Sequence, residues 1–142
     1  MLIAIIGENC VGKSTLAKKL AEKIGAAVYS GKDYLRLAKN PAVAMETFKA
    51  TLAASVNGEN IIYMITEKEH IELLPAGAFR IVLTAELETI KARFRERMRG
   101  NLPMPVEKML EAKHGMYDGL TCDLKLDGNY DTEGVLRALT KA

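Results

Sequence analysis

Residues 7 to 15 read GENCVGKST and follow directly on the apolar run LIAII. Gly7, Gly12, Lys13 and Ser14 satisfy the pattern G-x-x-x-x-G-K-[ST] at every fixed position. That spacing suits one task. Glycines let the backbone take unusual dihedrals and come close to a ligand. Successive N–H groups then form a concave nest for phosphate oxygens. A helix that starts at once adds its unpaired N–H groups and the positive end of its dipole. Lys13 would reach the β and γ phosphates, and the Ser14 hydroxyl would ligate Mg²⁺. The candidate cradle is therefore Gly7, Glu8, Asn9, Cys10, Val11, Gly12, Lys13, Ser14 and Thr15. Cys10 reads as a small space-filling residue in it, with a redox role as the alternative.

A second concentration of charge lies at 91–99, KARFRERMR, with five cations and one anion. On a helix, Arg93 and Arg97 share one face and Arg95 and Arg99 another. Both pairs flank an apolar stripe of Leu87, Ile90, Phe94 and Met98, so periodicity does not choose between them.

Such groups need a scaffold, and the hydrophobic pattern supplies one. Residues 2–6 form a buried strand, and Leu16, Leu20 and Ile24 mark a helix from Ser14 to Ile24 that Gly25 stops. Further strands are expected at 26–30, 61–66, 79–85 and 122–126. Residues 33–57 read as mostly helical, broken at Asn40–Pro41 because a residue before proline resists the α region. A short helix is expected at 67–74, and longer ones at Glu86–Arg99, Val106–Tyr117 and Thr132–Lys141. Alternating strands and helices predict a parallel sheet covered on both faces. Right-handed crossovers put every strand's carboxyl end on one edge, where ligands bind.

The totals fit one domain of ordinary composition: 142 residues, 49% apolar, 27% charged and a formal charge of +2. No charge excess or aromatic-lined basic groove points to nucleic acid, and no run approaches a membrane span. Cys10 and Cys122 lie far apart and His70 and His114 stand alone, so neither a zinc site nor a disulfide is expected. A reducing, cytoplasmic compartment follows as an expectation.

Past the loop, the sequence resembles the small P-loop kinases: adenylate kinase, other nucleoside monophosphate kinases and shikimate kinase. The loop near the start carries the likeness, with SGKDYLR (30–36) after the second strand and RFRERMRG (93–100) after IVLTAELETI. The resemblance implies a three-layer α/β/α sandwich with a five-stranded parallel sheet in the order 2-3-1-4-5. It implies an ATP- and Mg²⁺-dependent kinase whose acceptor is a ribo- or deoxynucleoside monophosphate, or else a hydroxylated metabolite. A nucleotide-dependent switch with little catalysis is a third reading. By the same likeness Asp33 would orient or deprotonate the acceptor and Arg36 would grip it, within an acceptor region at about 31–60. Arg93 and Arg97 would clamp the transferring phosphoryl group, and 99–106 would form a short lid. Asn129 and Tyr130, in the turn DGNYD, would lie against the adenine. A helix N-cap is the plainer reading of Asp33. Strand three ends MITEKEH, without the Asp-Gly of adenylate kinases or the glycine trio of shikimate kinase; Thr66 and Glu67 stand there, and Glu67 would hold Mg²⁺ through water or open the next helix. A single domain, monomeric or homodimeric, is expected.

Overall fold

The computed structural model describes residues 1–142. Five strands, β1 (Leu2–Ile6), β2 (Ala27–Ser30), β3 (Ile61–Ile65), β4 (Phe79–Leu83) and β5 (Leu124–Leu126), form one sheet in the order β2-β3-β1-β4-β5. Every pairing is parallel, with Ile3 opposite Ile62 and Phe79 across the centre. The helices are α1 (Lys13–Ile24), α2 (Pro41–Ser55), α3 (Leu87–Arg97), α4 (Met104–Lys113) and α5 (Thr132–Thr140).

All five side chains of β1 are buried because both sheet faces are covered. Alternation sends Ile3 and Ile5 to one face, where they meet Leu16 and Leu20 of α1, Ile90 of α3, Leu110 of α4 and Val135 and Leu139 of α5. Leu2, Ala4 and Ile6 face the other way, onto Ala44, Phe48 and Leu52 of α2 and onto Tyr34, Tyr63 and Tyr117. Phe48 centres this second layer, with ring centroids 5.5 Å from Tyr34 and 4.9 Å from Tyr63. Each fully buried Ile or Leu contributes about 1.5–3 kcal/mol. Cys10 packs in the first cluster and Cys122 against the second, and both thiols are free.

Helix boundaries follow local chemistry. Asn40 caps α2 by accepting from the N–H groups of Ala42 and Val43, with Pro41 in the first turn. Asp131 caps α5 in the same way. Four expectations shift. The stretch after Ser30 forms only a 3₁₀ helix, Asp33–Leu37, and the helix expected at 67–74 is likewise 3₁₀, Lys68–Leu73. Helix α3 stops at Arg97, so Met98 leaves the apolar stripe and is exposed. Helix α4 starts two residues early and ends at Lys113, where turns replace the expected helix to Tyr117. No helix is long and apolar enough to cross a membrane.

Parallel pairing aligns the carboxyl ends of all five strands on one edge. The ladder runs slightly past them: Gly7 N–H donates to Ile65 O, Gly31 N–H to Met64 O and Thr84 N–H to Leu126 O. The GENCVGKST loop, Ser30, the Met64–Thr66 segment and the 127–131 turn are thus held side by side.

Candidate active site

Gly7 must be glycine because the loop leaves β1 hard against its neighbours. A Cβ there would lie 2.6 Å from Leu83 O and 2.7 Å from Val11 Cγ2. The loop then turns through two left-handed residues, Cys10 at φ 63° and Gly12 at φ 103°. Gly12 precedes α1 without a side-chain cap, and the first turn of α1 holds no acidic residue. Its first N–H groups therefore lack side-chain acceptors, and a polyanion is the complementary ligand.

A cleft of about 610 Å³ opens over this loop. Asn9, Cys10, Val11, Gly12, Lys13, Ser14 and Thr15 form its floor, Ser30, Met64 and Thr66 come from the ends of β2 and β3, and Gly128 and Tyr130 from the turn after β5. Three further cations complete it: Lys19 from α1, and Arg93 and Arg97 from α3. With Lys13 that makes four cations and no carboxylate among the lining residues. Four like charges in one concavity focus a strongly positive potential.

Lys13 folds back, its Nζ donating to Gly7 O at 2.8 Å and Glu8 O at 2.7 Å. Burial pushes its ammonium from 10.5 down to about 8; the nearby Arg97 adds to the shift, while Cys10, Glu8 and Glu67 oppose it. Arg93 Nη1 donates to Cys10 O at 2.9 Å, so α3 braces the loop it faces. Lys19 lies over Tyr130, with Nζ 5.4 Å from the ring centroid.

The basic run therefore divides by position. Arg93 and Arg97 line the cleft, and Arg95 and Arg99 do not. Lys91 is buried between α3 and α4, with Glu107, Glu111 and Glu88 at 3.4, 3.5 and 3.9 Å. Burial opposes its charge, but the Glu107 hydrogen bond and the three carboxylates outweigh burial and raise its pKa.

Other expected site residues lie elsewhere. Asp33 and Arg36 are not among the residues lining the cleft. Asp33 Oδ2 accepts from Ser30 N–H at 2.9 Å and pairs with Arg36 at 3.6 Å, so it closes a turn and caps no α-helix. Asn129 is outside the lining too, its N–H donated to Asp127 Oδ1, while Tyr130 beside it lines the cleft. Glu67 precedes the Lys68–Leu73 turn, and its carboxylate lies 4.0 Å from Lys113. The Glu8 carboxylate points behind the loop, to His114 and Gly115. Lys19, Ser30, Met64 and Gly128 were not among the expected site residues; α1 carries Lys19 to the cleft, and the strand order brings the other three.

No family model matches the sequence, and no curated protein matches it either. Solved structures do match in three dimensions. A gluconokinase from Sinorhizobium meliloti 1021 aligns over 96% of this chain and 87% of its own, with a TM-score of 0.61 at 13% identity. A shikimate kinase from Aquifex aeolicus VF5 aligns over 99% and 94%, with a TM-score of 0.54 at 16% identity. A deoxyadenosine kinase from M. mycoides aligns over the full length of both chains, with a TM-score of 0.57 at 17% identity. The fold is that of the small P-loop kinases. Within this P-loop kinase fold the cleft sits where the loop, the ends of β2 and β3 and the arginine-bearing α3 converge, and the sheet order is the one the resemblance implied.

Proposed function

We propose that the chain is an ATP- and Mg²⁺-dependent phosphotransferase acting on a small molecule, with a ribo- or deoxynucleoside monophosphate as acceptor. One observation carries the choice of acceptor: the cleft above the phosphate loop is lined by four cations and no carboxylate. A hydroxyl acceptor must lose a proton as it attacks, and a positioned carboxylate or histidine normally takes it. A phosphate acceptor attacks through an oxygen that is already ionised, and its charge of about −2 adds to the need for cations. The likeness to a gluconokinase, a shikimate kinase and a deoxyadenosine kinase supports phosphoryl transfer to a small molecule and leaves the acceptor open.

The residues present fit a nucleotide. The uncapped start of α1 and the loop amides would take the β and γ phosphates, with Lys13 exchanging its two carbonyl partners for phosphate oxygens. Arg93 and Arg97 would neutralise charge on the phosphoryl group in flight. The nucleoside would lie along α1 toward Lys19 and Tyr130. No group of three or more His, Cys, Asp or Glu residues is placed to hold a metal ion, so Mg²⁺ would be held by Ser14 Oγ together with the nucleotide's own phosphates. It would supply charge neutralisation between those phosphates. Arg36, held by Asp33, would meet the acceptor at the end of β2.

Asp33 favours a second reading. It lies three residues beyond Ser30, which lines the cleft, and a changed side-chain rotamer would make it a base for a hydroxylated metabolite. Labelled ATP with a panel of nucleoside monophosphates, nucleosides, shikimate, gluconate and oligonucleotides separates these. Diphosphate product from a monophosphate upholds the proposal; transfer to a hydroxyl overturns it in favour of the second reading. Under the proposal Asp33→Asn raises the acceptor KM and spares kcat. A kcat loss of about 10²–10⁴ with KM unchanged would make Asp33 the base. Tight nucleotide binding without transfer to any acceptor would instead mark a switch.

A further inference from the structure

Glu8 is a carboxylate inside the phosphate loop, yet it is more than nine-tenths buried and faces away from the cleft. Its two oxygens are used separately. Oε1 lies 3.1 Å from His114 Nδ1, and Oε2 accepts from Gly115 N–H at 3.0 Å. These partners are 106 and 107 residues away and sit just past the end of α4. The same short segment makes two more attachments. Lys113 Nζ lies 4.0 Å from Glu67, and the Tyr117 hydroxyl donates to Thr66 O. Residues 113–117 thus hold the phosphate loop and the end of β3, two of the walls of the cleft.

The other end of the α3–α4 pair carries the cleft arginines, and Arg93 grips the loop at Cys10 O. Lys91 of α3 fastens the two helices together through Glu107 and Glu111 of α4. The loop is therefore held twice by one helical unit, at Cys10 from α3 and at Glu8 from behind α4. Such outer contacts fix the geometry of the groups that meet the ligand, and misplacement of about 1 Å costs heavily.

We infer that Glu8 and His114 are positioning residues that set the shape of the phosphate loop from the far side of the α3–α4 unit. The inference rests on the reading of the cleft as a nucleotide site, but the loop's order is measurable without nucleotide. Hydrogen exchange of the 9–14 amides in the empty protein is the first readout. Glu8→Ala should speed that exchange about tenfold while leaving the β1 and α5 amides unchanged. Calorimetry with Mg·ADP, at a temperature where circular dichroism shows every variant folded, is the second. Glu8→Ala and His114→Ala should each weaken binding about tenfold, and the double variant should be no worse than Glu8→Ala alone. Glu8→Gln keeps an acceptor for Gly115 N–H and should restore most of the affinity. Unchanged loop exchange in a folded Glu8→Ala overturns the inference, and so does unchanged ADP affinity. A wild type that binds no nucleotide, but whose loop loosens on Glu8→Ala, upholds the bracing and refutes the kinase reading alone.

Discussion

Lys13 gives the cleft a titration that bound nucleotide should reverse. Its ammonium is displaced from 10.5 to about 8, chiefly by burial. At about 1.36 kcal/mol per unit, the empty fold carries a burden of about 3 kcal/mol while Lys13 is charged. The sign follows from proton counting. Below pH 8 the lysine is protonated in both folded and unfolded chains, and the burden is full. Between pH 8 and 10.5 the unfolded chain keeps a proton that the folded chain has lost, so stability rises with pH. Tyr63 and Tyr117 act oppositely above pH 10, because burial raises their hydroxyls above 10.0 and unfolding would release protons. The clean window is therefore about pH 8 to 9.5.

A polyphosphate replaces the lost solvation with direct charge contact and should restore the ordinary pKa. At pH 9, above that value, Lys13 of the free protein should be mostly neutral, so binding should take up close to one proton. The dissociation constant for Mg·ADP should be about tenfold weaker at pH 9 than at pH 7. The nucleotide's own phosphate, with a pKa near about 6, adds nothing there. Calorimetry at pH 9 in two buffers of different ionisation enthalpy measures the uptake directly. Lys13→Met should take up none, and its stability should lose the rise between pH 8 and 9.5. Measurable binding at pH 9 without proton uptake would refute the reasoning, since Lys13 would then be neutral in the complex or already charged without ligand.

Three other outcomes test the site's construction. Gly7→Ala puts a methyl 2.6 Å from Leu83 O and should cost about 1–3 kcal/mol in chemical denaturation, with nucleotide binding lost in the variant that remains folded. Arg93→Ala and Arg97→Ala should each lower kcat by about 10²–10³, whereas Arg95→Ala and Arg99→Ala, outside the cleft, should change it less than about twofold in the same steady-state assay. Lys91→Met removes the cation that ties α3 to Glu107 and Glu111 of α4, so Tm should fall at pH 7, as differential scanning fluorimetry would show.

What the sequence made legible is what lies close along the chain. The loop is legible because strand, turn and helix start are consecutive, and the periodicity of Leu16 and Leu20 matches their burial against Ile3 and Ile5. The strand order came from the resemblance, and the parallel pairing agrees with it. Side-chain direction was legible only where a period has one solution. KARFRERMR offered two arginine faces, and the choice between them depends on where α3 meets the loop, a tertiary fact fixed by Ile90 and Lys91 turning inward. A lysine at an inward position is counter to pattern, and it is accounted for only by glutamates from α3 and α4. The apolar stripe likewise overreached at Met98, because Arg99 takes a left-handed φ of 59° and the chain turns away before Met98 is covered.

The same distinction explains the acceptor side. Motif residues at a strand's end were expected to face the ligand, but Asp33 is claimed first by the Ser30 N–H and by Arg36, both within three residues. Short polar side chains in turns satisfy nearby backbone before they reach across a cleft. Asn129, whose N–H is held by Asp127, lies in a turn closed in the same way. Tyr130 has no such local partner, and its ring packs toward the core while lining the cleft. The cleft is lined instead by long cationic side chains, Lys13, Lys19, Arg93 and Arg97, beside the Ser14 hydroxyl and the start of α1, and two of the four, Lys13 and Arg93, also hold carbonyls of the loop itself. Four cations without a carboxylate among the lining residues suit the phosphate-bearing acceptor proposed above. On that proposal, a rotamer change that turned Asp33 inward would supply the base that a hydroxyl acceptor needs.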